Sequence, residues 1–355
     1  MRNKQDNIEI RAPYLIFVGA ESRPDMAKTG RGLVEWRPEL CKGQLRLSND
    51  AVDLGLPDLT LELARDIGIK SLVIGTASVG GAIPEEWYEV LLKAIRLGLD
   101  IVAGVHTRLC DTPFLREAAE NSGVRLVDIR VPPSSIPVGS GRKRSGRRLL
   151  TVGTDCAIGK KYTALVLERE MKKNGMNVDF RASGQTGIMI AGQGIPIDAV
   201  VADFLSGAAE LLSPDNAPDH WDIIEGQGGI FHPGFGAVSY GLLVGSQPDA
   251  FVVCHEPGRE FISGWEGYRL PTVEQVIERT TAIGSLTNPN IRCVGVSLYT
   301  ANLSAAQRRE AQEDITRRTG LPCIDPLIDG VGRIIEQMNS EFPPVPDQSQ
   351  VSKAV

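Results

Sequence analysis

Residues Gly153-Thr154-Asp155-Cys156-Ala157-Ile158-Gly159-Lys160-Lys161 carry the glycines and the lysine of a phosphate-binding loop (P-loop), with one position changed. In such a loop successive backbone N–H groups wrap a phosphate at the positive end of a helix, and the lysine reaches the outer oxygens. The chemistry needs a buried strand before the loop and a helix after it. Residues 149–152 (LLTV) supply the strand. Residues 162–173 supply the helix, with Leu165, Val166 and Leu167 on its inner side. The residue after the lysine is normally Ser or Thr, whose hydroxyl holds Mg²⁺. Here it is Lys161. Thr163 cannot replace it, because two residues along a helix the side chain has turned by about 200°. The segment through Tyr162 is therefore expected to bind a phosphate-bearing ligand and to be poorly equipped for magnesium-assisted phosphoryl transfer.

A second glycine-rich signature, Glu225-Gly226-Gln227-Gly228-Gly229, follows the apolar run Trp221-Asp222-Ile223-Ile224. A carboxylate at the end of such a strand stands near the phosphate loop in a P-loop sheet. Alone, the segment reads equally as a tight turn with an exposed acid. Two such signatures in this order within one domain are much more specific.

The elements that must position them alternate along the chain. In the first part, residues 14–18, 70–75, 99–105 and 124–130 read as strands, and residues 85–97 (after Pro84) and 112–121 as helices. Such alternation predicts a Rossmann-like parallel sheet covered by helices. Its ligand edge falls at the strand ends Gly75-Thr76-Ala77-Ser78 and Val105-His106-Thr107-Arg108. Residues 131–146 break the pattern with proline, serine, glycine and charge. The expected organisation is an N-terminal Rossmann-like α/β domain over 1–140, a basic linker over 141–147 and a P-loop NTPase-like α/β domain over 148–338. Within the second domain, 178–181, 223–225, 250–254, 291–296 and a short run near 322–324 read as strands. Residues 339–355 are polar and proline-bearing, the composition of a disordered tail.

A length of 355 residues suits two such domains. Hydrophobic residues make up 42% and charged residues 23%, values of an ordinary globular protein. A net charge of −6 disfavours nucleic acid as a partner, and the basic run RKRSGRR over 142–148 is read as a solvated linker. The cysteines at 41, 110, 156, 254, 293 and 323 have no paired spacing, which fits reduced thiols rather than a disulfide frame or zinc site. Four scattered histidines suggest no metal cluster. With no signal-like leader and no run of about 18 apolar residues, a cytoplasmic protein without membrane partners is expected.

At this point the chain resembles known proteins. The two signatures are similar to the loop and the later acidic glycine segment of dethiobiotin synthetase and its relatives. More closely, nearly the whole chain resembles the D-glutamate N-acetyltransferase family of two-domain P-loop proteins. The resemblance runs through Arg31-Gly32, Trp36-Arg37-Pro38-Glu39, residues 153–160, Ser183-Gly184-Gln185-Thr186-Gly187, residues 197–203 and residues 225–229. It implies an acyltransferase that uses acetyl-CoA, an amino-acid acceptor of which D-glutamate is the first choice, a role in D-amino-acid catabolism, and a homo-oligomer, a dimer first.

What the resemblance implies can be weighed against the residues. Coenzyme A carries a pyrophosphate and a 3′-phosphate, which a P-loop can bind without hydrolysis. Lys161 then adds a cation where Mg²⁺ would sit, though it also reads as a surface residue at a helix start. Acetylation needs a free amine, hence a general base, and N–H donors for the developing oxyanion. Glu225, Asp203, Asp198 and His232 are the base candidates, with Glu225, Asp203 and the loop's Lys160 ranked first for catalysis. Gln227 and Gly228 can present donors. The duller readings are a helix N-cap for Asp198, a helix-face acid for Asp203 and a loop residue before Pro233 for His232. A dicarboxylate asks for arginine, and Arg31, Arg37, Arg108 and Arg181 fall at expected loop or strand ends, where most arginines are merely solvated. His106 and His255 also sit at strand ends, where a structural hydrogen bond is the commoner role. The segment His255-Glu256-Pro257-Gly258-Arg259 is placed, by position alone, to line an adenine pocket. The rival reading is an ATP- and Mg²⁺-dependent ligase or kinase, with Lys160 on the γ-phosphate and Asp203 and Glu225 around the metal. A nucleotide-sensing regulator is a third.

Overall fold

The computed structural model describes residues 8–24, 26–76 and 81–343. The chain forms two compact units, Met1–Pro132 with Gly184–Ala199, and Pro133–Ser183 with Val200–Val355.

In the first unit, strands β1 (Tyr14–Gly19), β2 (Cys41–Arg46), β3 (Ser71–Ile74), β4 (Asp100–Ala103) and β5 (Leu126–Asp128) form a parallel sheet in the order β2-β1-β3-β4-β5. β1 (YLIFVG), β3 (SLVI) and β4 (DIVA) are buried along their whole length, as largely apolar strands of a parallel sheet should be. Helices α1 (Lys28–Trp36), α2 (Leu61–Asp66), α3 (Tyr88–Arg96) and α4 (Pro113–Ser122) cover them. On α3, Leu91, Ala94 and Ile95 face the sheet at helical spacing. Each large side chain buried this way contributes roughly 1.5–3 kcal/mol. The expected helix over 85–97 opens as a single 3₁₀ turn, Glu85–Trp87, which carries Trp87 edge-on to Phe17 with 5.1 Å between ring centroids. Ala77 and Ser78 of the expected ligand edge lie outside the described residues.

In the second unit, β6 (Arg147–Gly153) leads through the loop into α5 (Lys160–Lys173), followed by β7 (Val178–Arg181). α6 (Gln185–Ala191) belongs with the first unit and touches α1. The chain then continues through α7 (Leu205–Leu212), β8 (Trp221–Ile224), α8 (Gly236–Ser246) and β9 (Ala250–His255). A short antiparallel hairpin follows, β10 (Phe261–Ile262) with β11 (Trp265–Arg269). α9 (Val273–Gly284), β12 (Arg292–Leu298), α10 (Ala305–Thr319), β13 (Cys323–Ile324) and α11 (Gly332–Glu341) complete it. The six-stranded sheet has the order β13-β12-β9-β6-β8-β7 and is parallel throughout. β6 is thus internal, between β9 and β8, and delivers the loop to the carboxyl edge of the sheet. α11 extends through Glu341, so the start of the expected tail is helical, with Met338 packed in the core. No helix among the described residues is long and apolar enough to cross a membrane.

The basic run differs most from its expected role. Arg147 opens β6, and Arg144 and Arg148 are buried, at 5% and 1% exposure. Arg144 donates to the carbonyls of Glu210 and Ser213 at the end of α7, and of Gly245 and Ser246 at the end of α8. These are the orphan carbonyls of two helix C-termini, where a cation is also favoured by the helix dipole. Burial still pulls the Arg144 guanidinium down to about 10. Arg148 donates to Ser213 Oγ at 2.8 Å, and Ser213 Oγ in turn donates to buried Asp222 at 2.6 Å. Asp222 also accepts from Arg181 at 2.7 Å. Arg148→Met is therefore expected to destabilise the protein by about 3 kcal/mol, because it strands buried carbonyls and leaves Asp222 with one cation fewer. A lowered urea midpoint at unchanged slope is the measurement; an unchanged midpoint would show the network to be dispensable.

Candidate active site

The loop's backbone is arranged for an anion. Ala157 and Gly159 take left-handed conformations, at φ 55° and 99°. The alternating turn leaves the N–H groups of Ala157, Ile158, Gly159 and Lys160 without an acceptor among the described residues. Successive free N–H groups at the start of α5 make a concave anion nest. Lys160 is 7% exposed, and its Nζ donates to the carbonyl of Asp155 at 2.5 Å, closing the loop on itself. Burial lowers its pKa, opposed by the negative groups around it, Asp155 and Glu225 included.

Asp155 is locked rather than reactive. Its carboxylate accepts from the N–H of Cys156 at 2.6 Å, from Arg259 Nη1 at 2.7 Å and from the N–H of Ser263 at 2.9 Å. Thr154 pairs with Nδ1 of His255 at 3.1 Å. Burial first, then Arg318 and Arg259, push the His255 imidazole down to about 4, so it is neutral near pH 7. The segment expected to line an adenine pocket thus braces the loop from outside. Lys161 lies with its Nζ 4.6 Å from the ring centroid of Tyr162. Thr163 turns the other way, bonding Gly159 O at 3.1 Å and Ser297 Oγ at 2.8 Å inside the core, so its hydroxyl is already committed.

The second signature lies against the first. Gly226 has no room for a side chain: a Cβ there would stand 1.6 Å from the carbonyl oxygen of Thr151 and 3.3 Å from Lys160 Cδ. At Gly229 a Cβ would stand 3.3 Å from Gly153 O and 3.5 Å from the nitrogen of Asp155. Glu225 is 5% exposed, and its Oε2 accepts from the N–H of Ser183 at 3.1 Å. Ser183 Oγ donates to Glu225 O, and Gln227 Nε2 donates to Ser183 Oγ. The N–H groups of Gln227, Gly228 and Gly229 donate to nothing among the described residues. A buried carboxylate, a buried ammonium and two runs of free N–H groups therefore share one end of the sheet.

His232 has a different role from a base. Its Nδ1 accepts the N–H groups of Gly234 and Phe235 at 3.1 and 3.2 Å, which puts the ring proton on Nε2. Nε2 stands 3.8 Å from Asp155 Oδ1, and the ring is held between Phe235 and Trp265. Burial lowers its pKa, so it is a neutral donor facing Asp155. Ligand atoms of Asp155, Cys156 and His232 lie within 4.8 Å of one another. They suit a divalent cation badly, since a metal needs the Nε2 lone pair and the Asp155 oxygens are already committed.

The remaining candidates divide. Asp203 is exposed in a 3₁₀ turn before α7 and makes no side-chain bond among the described residues, so nothing joins it to the loop. Arg181 is spent on Asp222, and Arg37 donates to the carbonyl of Ile190 in α6 at 2.9 Å. Arg31 and Arg108 are exposed. Asp198 and His106 meet at Arg130, within the first unit.

The family model for the DUF1611 P-loop domain matches residues 137–335, and that for the DUF1611 Rossmann-like N-terminal domain matches residues 44–132. The chain belongs to the DUF1611 family. A D-glutamate N-acetyltransferase from a Pseudoalteromonas species is 44% identical over 331 residues, covering 93% of this chain and all of that one. Another protein of that name, from Tritonibacter scottomollicae, is 43% identical over 93% of this chain and 99% of its own. Among solved structures, that of a DUF1611 family protein from Anabaena variabilis superposes with a TM-score of 0.85 at 31% identity, covering 93% of this chain and all of that chain.

In this DUF1611 member, Arg130, Ser183, Arg259 and Trp265 contribute to the geometry without having been singled out as site residues from sequence. Ser183 and Arg259 stood inside quoted motifs, so a signal existed for both. Arg130 was one more arginine at a strand end, and Trp265 sits in a hairpin too short to leave a pattern.

Proposed function

We propose that the protein transfers an acetyl group from acetyl-CoA to the amino group of an amino acid, with D-glutamate the favoured acceptor. The observation that carries this reading is the phosphate loop, with four free N–H groups and Lys160, and with Lys161 where a magnesium-binding hydroxyl would stand. Those donors fit a diphosphate held without metal. The shared name of the two curated relatives supports the acyl transfer and the acceptor. D-Amino-acid catabolism is the pathway class that this activity suits.

The residues divide the work as follows. Lys160 and the loop N–H groups would hold the coenzyme's phosphates. Glu225, fixed by the N–H of Ser183, accepts a proton from the acceptor's ammonium, which frees the nitrogen lone pair. The N–H groups of Gln227, Gly228 and Gly229 face the thioester oxygen on which charge develops as nitrogen bonds to the carbonyl carbon. One such donor is worth about 3 kcal/mol. The carbon–sulfur bond then breaks, and the sulfur leaves as thiolate and takes up the second proton, which the nitrogen sheds as it becomes the amide.

Incubation with acetyl-CoA and a panel of D- and L-amino acids tests this directly, with free thiol as readout and ATP plus Mg²⁺ run in parallel. Thiol release with D-glutamate is the expected result; ADP release with no thiol would replace the reading by the ligase or kinase. Turnover is further expected to survive a metal chelator unchanged. Loss on chelation and recovery with Mg²⁺ would mean that Lys161 does not replace the metal.

A further inference from the structure

The carboxyl edge of the second sheet carries three exposed apolar side chains beside the phosphate loop. Tyr299, just past β12, is 40% exposed, and Leu327 and Ile328, past β13, are 51% and 54% exposed. Single exposed apolar residues are ordinary, but a group of them on a fixed frame marks a binding surface. The frame here is a buried carboxylate. Asp325 Oδ2 accepts from the hydroxyl and the N–H of Thr300, and Oδ1 accepts from the N–H of Leu327 at 3.0 Å. One side chain thus ties the loop after β12 to the loop after β13. Asp329 closes the second loop: its N–H donates to Asp325 O, and its carboxylate accepts the N–H of Asp325, each at 2.8 Å. The first loop is tied to the phosphate site. Tyr299 N–H donates to the carbonyl of His255 at 2.9 Å, and the ring of His255 pairs with Thr154. A Cβ on Gly159 would stand 4.0 Å from Tyr299 Cβ, an ordinary van der Waals contact. The Tyr299 hydroxyl makes no hydrogen bond among the described residues.

Gly159 lies within the run of free N–H groups, so this apolar surface starts in contact with the anion nest. A ligand that fits both places carries charge in the nest and a flat apolar group one sugar away from it. An adenosine diphosphate moiety has that form, and coenzyme A carries one. An aromatic ring with two branched aliphatic side chains offers a base stacking and apolar contact. We infer that Tyr299, Leu327 and Ile328 form the seat for the adenine of the coenzyme whose diphosphate the loop holds. Asp325 has both oxygens engaged by the frame, so it is a positioning residue and does not touch the base. The seat rests on the coenzyme reading above and adds the residues that receive the base. Residues 255–259, expected from sequence to line an adenine pocket, are occupied in bracing the loop through His255 and Arg259.

The test pairs a ligand change with a residue change, and calorimetry reads it without turnover. The ligands are coenzyme A, ADP and 4′-phosphopantetheine, which keeps the arm and one phosphate but has no base. Tyr299→Ala is expected to weaken coenzyme A and ADP by roughly 10-fold, the worth of one base stacked on an aromatic ring. The same variant should leave 4′-phosphopantetheine unchanged. Tyr299→Phe keeps the ring and should bring coenzyme A affinity back to near the wild-type value. Leu327→Ser should weaken coenzyme A severalfold, and it carries the test if Tyr299→Ala does not fold. An equal loss with the ligand that lacks a base would mean that Tyr299 acts only through Gly159 on the nest, which overturns the seat. Unchanged coenzyme A affinity in Tyr299→Ala overturns it as well, as does a wild type that binds 4′-phosphopantetheine as tightly as coenzyme A. The two proposals fail separately. Tyr299-dependent binding of coenzyme A and ADP with no thiol release would sink the transferase reading and leave the seat standing. Thiol release with an unchanged KM for acetyl-CoA in Tyr299→Ala would do the reverse.

Discussion

Lys160→Ala is expected to weaken coenzyme A binding by about 100-fold, the loss of a hydrogen bond between a charged donor and a phosphate. In the folded protein the ammonium is buried and lies on the Asp155 carbonyl at 2.5 Å. It is therefore held at the turn whose N–H groups are free, and the bound phosphate needs only to displace one carbonyl. The negative groups Asp155 and Glu225 favour its charge against burial, so alanine removes a cation from a place that has been arranged for one. Calorimetry with coenzyme A and with its 3′-dephospho form measures the effect. Equal losses with both would place the pyrophosphate at Lys160, and a loss confined to coenzyme A would place the 3′-phosphate there. Unchanged affinity for both would mean that the cofactor's phosphates bind elsewhere and the loop is a relic.

The parts of this protein that were legible in sequence are those where one local pattern has one physical solution. LLTV and FVVC are continuous apolar runs and can only be buried strands; both are in the sheet beside the loop. The two glycine signatures were legible for the same reason, since a Cβ at Gly226 would overlap a carbonyl oxygen. α1 was not legible. Its two glycines lower helix propensity by roughly 1 kcal/mol each, and the reason for one of them is tertiary: Gly30 lets the helix approach β1 and β3 so closely that its N–H donates to Gly75 O at 2.7 Å. β2 (CKGQLR) lies at the sheet edge and lacks an apolar run. Arg144 and Arg148 were hidden by their composition, because a run of basic residues is normally solvated. The acceptors of Arg144 lie at helix ends 65 to 102 residues further on. The site was half legible. Sequence pointed to Glu225 and Lys160, but the proton on His232 is decided by two backbone N–H groups, and two of the partners of Arg130, Gln185 and Asp198, come from a segment more than fifty residues away. Neither has a one-dimensional signature.

Glu225→Gln should reduce kcat by about 10²–10³-fold, within the range lost when a general base is removed, while coenzyme A affinity moves by no more than about threefold. The amide has nearly the carboxylate's shape, and its oxygen can still accept the N–H of Ser183, so the turn that carries Gln227, Gly228 and Gly229 should keep its form. What it cannot do is take a proton from an ammonium. The wild type should lose rate on the acid side as its base becomes protonated, and in the variant that acid limb should vanish. A different result follows if Glu225 serves only as the counter-charge of Lys160. Removing the negative charge would then leave the ammonium buried with less to offset it, so coenzyme A affinity would shift while turnover at saturation stayed near the wild-type value. The two roles thus move different parameters of one variant. Full turnover at saturating substrates, with the acid limb intact, would take the base assignment away from Glu225.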